Sequence, residues 1–224
     1  MKHIDNRGDI METISFSEAF KYPFKVPKRL LYILWIIIPI LGWFALSGYI
    51  VRLVNEFIEG KYEGLPELHF VDDMKLGFMI FLKAIPFVLV FTVVIFVIIF
   101  AVAMVNESAA YWLYILLIIF LAIFVVPILE INFFRKQTVG SFFEFRVLSA
   151  VKDNLGEYII AILKQYVLVI IFSVLMLILV GFPALYFTTY IFIANFYGKF
   201  VEKEAYSAPN FVETEVGNTP NFEE

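Results

Sequence analysis

Cysteine is absent from the 224 residues, which excludes disulfides, thiolate catalysis and cysteine-based metal sites. Histidine occurs only as His3 and His69, too far apart in sequence to form a ligand pair by local spacing. Charge is scarce: Asp, Glu, Lys and Arg make up 17% of the chain, against about a quarter in an ordinary globular protein. The uncharged gaps are long. Leu30 to Val51 runs 22 residues and Gln165 to Gly198 runs 34 residues without a charge. A soluble domain scatters charges along its helices, whereas uncharged apolar segments of about 20 residues are the signature of membrane spans. The first 29 residues lack the continuous apolar core and small-residue cleavage site of a secretory signal, so the run from Leu30 is expected to stay in the mature protein. No nucleophile motif, phosphate loop or metal-ligand spacing is present, so the reading is of a non-enzyme with no catalytic, cofactor-binding or metal residues and no nucleic-acid partner.

What the chain does have is apolar residues, 62% of the total. Two runs, Ala84 to Val105 and Ala109 to Leu129, are joined by Asn106-Glu107-Ser108. At 1.5 Å per residue they reach about 33 and about 31 Å, enough to cross a hydrocarbon core of roughly 30 Å, and they read as a transmembrane helical hairpin. Pro86 falls in the first turn of that span, where a missing N–H costs little. Lys83 can snorkel from the boundary, and Tyr111, Trp112 and Tyr114 form an interfacial aromatic belt. Asn106-Glu107-Ser108 matches a glycosylation sequon, but a turn pressed against the membrane reads as a turn.

The other two runs are broken. Leu30 to Val51 carries Pro39 and Gly42, so it crosses once or re-enters as two half-helices leaving on one side; re-entrant backbone is tolerated only where protein covers it. Gln165 to Gly198 would be about 51 Å long as one helix and must turn. Gly181-Phe182-Pro183 is the expected place, giving arms from Tyr158 to Val180 and from Ala184 to Lys199.

Between the runs lie segments for the membrane surface. Ser15 and Glu18 form a capping box opening a short helix, with Phe16, Phe20 and Phe24 beside Lys21, Lys25, Lys28 and Arg29. The set reads as a basic flank or a lipid-recognising patch. Ser141 and Glu144 repeat the capping pattern, and Phe142, Phe145, Leu148, Val151 and Leu155 follow at spacings of three and four. This predicts an amphipathic helix lying on the membrane or packed on the protein's own spans. Glu130, Arg135 and Lys136 are expected to return the chain to water.

The loop after the first broken run is acidic, with Glu56, Glu59, Glu63, Glu67, Asp72 and Asp73 around His69. Clustered carboxylates can bind a divalent cation, but they lack an EF-hand spacing and read as a solvated loop. Asp72 and Asp73 suit the start of a helix. In this region Gly48-Tyr49-Ile50-Val51-Arg52, the acidic stretch, Leu65-Pro66-Glu67, the two aspartates and Gly77 follow in order. That order resembles the prokaryotic, largely archaeal family of polytopic membrane proteins known as domain of unknown function 4013, with similarity over roughly Ser15 to Glu204. The resemblance implies a multi-helix integral membrane protein with no assigned reaction.

Lys and Arg set orientation. Of the 17, six lie before Leu30, four from Arg52 to Lys83, five from Arg135 to Lys164 and two after Gly198, with none in either turn at residues 106–108 or 181–183. If the first run re-enters, every basic residue lies on one side. The expected fold is therefore all-α and polytopic: four spanning helices, a broken or re-entrant N-terminal segment and short interfacial amphipathic helices, in the plasma membrane with both termini cytoplasmic. Its parts are an N-terminal segment 1–29, a membrane domain 30–205 and a disordered acidic tail 206–224. Inside the runs, Ser47, Thr92, Ser173, Thr188, Thr189 and Asn195 are expected mainly to bond to backbone or between helices. The expected function is a scaffold, assembly or bilayer-shaping subunit, its partners being the lipid bilayer and a protein or a second copy of itself. The alternative is a small transporter or channel component using the broken helices.

Overall fold

The computed structural model describes residues 13–202; the polar start of the chain and the acidic tail at 206–224 lie outside the described residues. The helices are α1 (Phe16–Lys21), α2 (Leu41–Ile58), α3 (Phe70–Ala103), α4 (Glu107–Phe120), α5 (Val126–Lys136), α6 (Val147–Asp153), α7 (Leu155–Leu175), α8 (Gly181–Thr188) and α9 (Ile191–Tyr197). A 3-10 helix covers Pro27–Ile37, and a π-turn, Leu121–Val125, joins α4 to α5. No strand occurs among the described residues.

Three helices are long and apolar enough to cross a membrane: Phe70–Ala103, Glu107–Lys136 and Leu155–Ile178. The fourth expected span, Ala184 to Lys199, is not one helix. It breaks at Thr189–Tyr190 into α8 and α9, and its residues are mostly buried against the rest of the protein. A break exposes backbone groups that lipid cannot satisfy, and Gln165 of α7 supplies the partners. Its amide donates to the Thr188 carbonyl at 3.0 Å, and its carbonyl oxygen accepts from the Phe192 N–H at 3.4 Å. The π-turn is served in the same way. Pro127 has no N–H to offer the Ile123 carbonyl four residues back, and the buried Tyr158 hydroxyl donates toward the Ile123 and Phe124 carbonyls at 3.3 and 3.4 Å.

The first broken run folds back on itself. The chain reverses at Ile38–Ile40, where Ile40 takes φ 67°, and Gly42 allows the two legs to meet, since a Cβ there would stand 1.8 Å from the Trp35 carbonyl oxygen. The backbone closes the reversal itself through Leu41 N–H to Pro39 C=O and Gly42 N–H to Ile38 C=O. The turn before α8 has the same character, with Leu179 at φ 62° and Gly181 pressed against the Phe172 carbonyl. Pro183 lies in the first turn of α8, where no N–H is needed.

Three local expectations need correction. Pro86 is inside α3, not at a helix start, because α3 begins at Phe70 and runs on unbroken. The Ser15–Glu18 capping box is present in both directions, but the Ser141–Glu144 one is not formed. Ser141 is buried and its hydroxyl donates to the Thr138 carbonyl, while Glu144 pairs with Lys136. The segment is a 3-10 turn over Val139–Phe143 followed by the short α6, packed on the protein more than laid out as one surface helix: Phe142 stacks on Phe133 at 4.0 Å and on Phe87 at 4.3 Å. Phe16 stacks on Phe192, and Phe20 and Phe24 pack on Phe172, so the three partly buried phenylalanines of the basic segment pack against the core.

Candidate functional site

The residues that carry the family pattern form a clasp. Gly48 and Gly77 bring α2 and α3 into backbone contact, for a Cβ on Gly48 would stand 1.9 Å from the Asp73 carbonyl oxygen and one on Gly77 1.9 Å from that of Phe44. Beside this crossing Arg52 donates to both Asp73 carboxylate oxygens, at 2.6 and 2.7 Å, and to the Glu67 carbonyl at 2.7 Å. Asp73 also accepts from the His69 N–H at 2.8 Å, which fixes the first turn of α3.

The loop before α3 is stapled through its carbonyls. Tyr22 donates to Gly64, Tyr49 to Pro66, Arg29 to Leu65 and Lys25 to Tyr62. Three of these four donors come from the N-terminal segment, and Arg29 also pairs with the Glu67 carboxylate. Leu65, Pro66 and Glu67 thus present backbone oxygens to tyrosine and guanidinium donors. Arg29 and Arg52, at the two ends of the first broken run, meet the same loop. The acidic residues disperse: Glu59 pairs with Lys61 and Arg135, and burial raises its carboxyl less than those two partners lower it. Among the described residues no group of three or more His, Asp or Glu is placed to hold a metal ion.

Most intramembrane polar side chains are spent on local bonds, as expected of such residues. Ser47 donates to Trp43 C=O, Ser173 to Val169, Thr188 to Ala184 and Thr189 to Leu185. Asn195 is a staple: its oxygen accepts from the Ile14 N–H and its amide donates to the Tyr62 hydroxyl.

Glu130 is the exception. It does not return the chain to water. Ile128, Leu129, Ile131 and Phe133 around it are buried, so the face of α5 that carries Glu130 turns inward. Its carboxyl is half-buried, set against the Tyr190 hydroxyl, and makes no ion pair among the described residues. The nearest basic residues along its helix, Arg135 and Lys136, are committed to Glu59 and Glu202 and to Glu144.

Glu130 lines a cavity of about 660 Å³ between α2, α3, α5 and the α8–α9 break. The walls are apolar apart from Ser47, Glu130, Tyr186, Thr189, Tyr190 and the indole N–H of Trp43, which donates to the Ile36 carbonyl. Ile40 and Trp43, both exposed and at or next to the reversal of the first run, are among its lining residues. A second cavity of about 420 Å³ lies toward α4 and the π-turn, and Glu130, Thr189 and Tyr190 line both. One carboxyl and one broken helix therefore stand between two apolar spaces.

Glu130 had a signal in the sequence. The 22 residues before it carry no charge, and its neighbours are Ile128, Leu129 and Ile131. Tyr190 and Gln165 had none, because only the break in the return arm gives them their roles.

Three apolar helices of spanning length, a re-folded N-terminal run and a broken return arm fit a helical membrane protein. The chain belongs to the family described as Protein of unknown function (DUF4013), whose model matches residues 31–181. The match includes every residue of the clasp contributed by α2, the loop and α3. No curated protein and no solved structure matches the chain.

Proposed function

We propose that this is a small membrane-embedded binding or carrier protein for an amphiphile, without enzymatic chemistry. The observation that carries the reading is the apolar cavity of about 660 Å³ with a single carboxyl in its wall. Apolar pockets with a few convergent polar groups are the usual form of ligand sites, and ionisable residues inside membrane proteins mark substrate paths more often than packing. Discontinuous helices at such a site are a common feature of transporters. An apolar fluorescent probe should bind saturably to nanodiscs holding the protein, above empty nanodiscs. Ala84→Trp, which fills the cavity wall, should weaken that binding at least tenfold; unchanged binding in a folded variant would count against the site.

The proposed topology places the protein in the plasma membrane with both termini and all basic residues cytoplasmic. The two reversals support its same-side arrangement of the segments they join. Leu177 and Leu179 are 87% and 83% exposed, and Ile37 and Ile40 are also exposed. Such tips are favourable in hydrocarbon and costly in water, since each fully exposed Leu or Ile forgoes about 1.5–3 kcal/mol. Their N–H groups bond within the turn, as with Leu179 to Met176 and Val180 to Ile178.

A scaffold or assembly role has separate support in the α3–α4 hairpin. Only 6% of the most apolar window of Phe70–Ala103 is buried, and Phe96, Phe100 and Leu116 are exposed. A protein partner or a second copy could cover that face. Single-cysteine cross-linking at position 96 in native membranes would detect the homo-oligomer as a doubled mass.

A further inference from the structure

We infer that the occupant of the Glu130 cavity is a cationic amphiphile, its positively charged head against Glu130 and Tyr190 and its apolar body directed toward Trp43 and Ile40. This inference rests on the amphiphile-binding reading and gives it a chemical class. A lone carboxylate removed from water costs several kcal/mol unless a counter-charge or proton meets it. Among the described residues no cation answers Glu130, and every basic side chain near it on α5 is paired elsewhere. On the facing elements the position is the same. Lys83 of α3 donates to the Gln137 carbonyl at 2.8 Å, while α8 and the α8–α9 break present only Tyr186, Thr189 and Tyr190.

The hydroxyls favour a cation further. Thr189 and Ser47 have given their protons to backbone carbonyls, so each turns acceptor lone pairs to a ligand. Beside Glu130 the wall is aromatic, with Phe133, Phe134 and Tyr190, and such rings attract a cation at about 6 Å or less. An anionic head would meet one carboxylate and no basic side chain among the lining residues.

Depth agrees with an amphiphile. Glu130 lies six residues before Lys136, about 9 Å along the helix from the end that bears the basic residues, while Trp43 and Ile40 lie at the reversal of the first run. The site is therefore polar near one membrane face and apolar toward the interior, as a single-chain amphiphile is.

The test uses the full chain in nanodiscs, titrated calorimetrically against empty nanodiscs with three decyl amphiphiles: decyltrimethylammonium, decanol and decyl sulfate. Saturable binding of the ammonium at least tenfold tighter than the other two, reduced at least tenfold in Glu130→Gln while decanol binding is unchanged, is the expected result. Glu130→Gln keeps shape and hydrogen bonding, and its thermal midpoint reports whether it folds; should it not fold, Tyr190→Phe replaces it, with a smaller but selective loss of ammonium binding expected. Equal saturable binding of all three heads, in the parent and in Glu130→Gln, overturns the cationic class while leaving the cavity as a binding site. Absence of saturable binding for every head overturns both readings.

Discussion

Arg52 holds Asp73 with two parallel hydrogen bonds at 2.6 and 2.7 Å across the crossing of α2 and α3, and Asp73 is almost wholly buried while Arg52 keeps about a third of its side chain exposed. Removing the guanidinium strands a buried carboxylate. Arg52→Ala should destabilise the protein by roughly 3 kcal/mol, toward the low end of the range for broken buried pairs because water still reaches Arg52. Arg52→Lys should recover only part of this, since an ammonium cannot bond both oxygens and the Glu67 carbonyl in one plane. Thermal unfolding in detergent checks both.

Gly48 and Gly77 should not tolerate a methyl group. A Cβ at either would overlap backbone 1.9 Å away, which cannot rotate aside as a side chain can. Gly48→Ala and Gly77→Ala should each cost about 1–3 kcal/mol or more, seen as loss of the monodisperse peak in size-exclusion chromatography. Gly140→Ala, where nothing lies within 4 Å, should be silent.

Gln165→Leu removes both partners of the break in the return arm while keeping the volume. Leaving the Thr188 carbonyl and Phe192 N–H unmet should cost about 1–3 kcal/mol. Hydrogen exchange should increase at Phe192 before it does in α7.

The Glu144 carboxyl is held below its ordinary value of 4.5, chiefly by its bond from Lys136. A depressed acid stabilises the folded state above its unfolded pKa, and the contribution is lost as pH falls through the folded value. Glu144→Gln should therefore cost about 0.2–1 kcal/mol at pH 7, the pair being partly exposed. The difference from the parent should shrink below about pH 4.5 in thermal scans.

Single cysteines at positions 61, 106 and 146 test the topology cleanly in a chain that has none of its own. Position 106 should react with an impermeant maleimide from outside, and positions 61 and 146 only after the membrane is opened. A further cysteine at position 28, before the first run, should label from the same side as position 61; labelling of the two from opposite sides would remove the same-side arrangement of the first run.

The short-range features were readable because they depend on neighbours along the chain. The Ser15–Glu18 box, the Asn106 turn and the reversals near Pro39 and Gly181 each follow from residues within a few positions of one another. The Ser141–Glu144 pattern was equally local and still failed, because Lys136 and Asn132, adjacent only in the fold, take the Glu144 carboxylate. Glu130 was misplaced for the same kind of reason. A charged residue after an apolar run usually marks the boundary, and nothing nearby in sequence shows that α8 and α9 wrap around it.

By itself, the sequence determined the class of protein and the number and sign of its charged segments, because hydrophobic run length and charge exclusion from lipid act residue by residue. It also determined where the chain must bend, through proline, glycine and lengths no single span can hold. Only the tertiary structure decided that the return arm is broken, that the family residues form a clasp and that Glu130 faces a cavity. Those depend on which helix faces meet, and side chains far apart in sequence satisfy each other only once they have met.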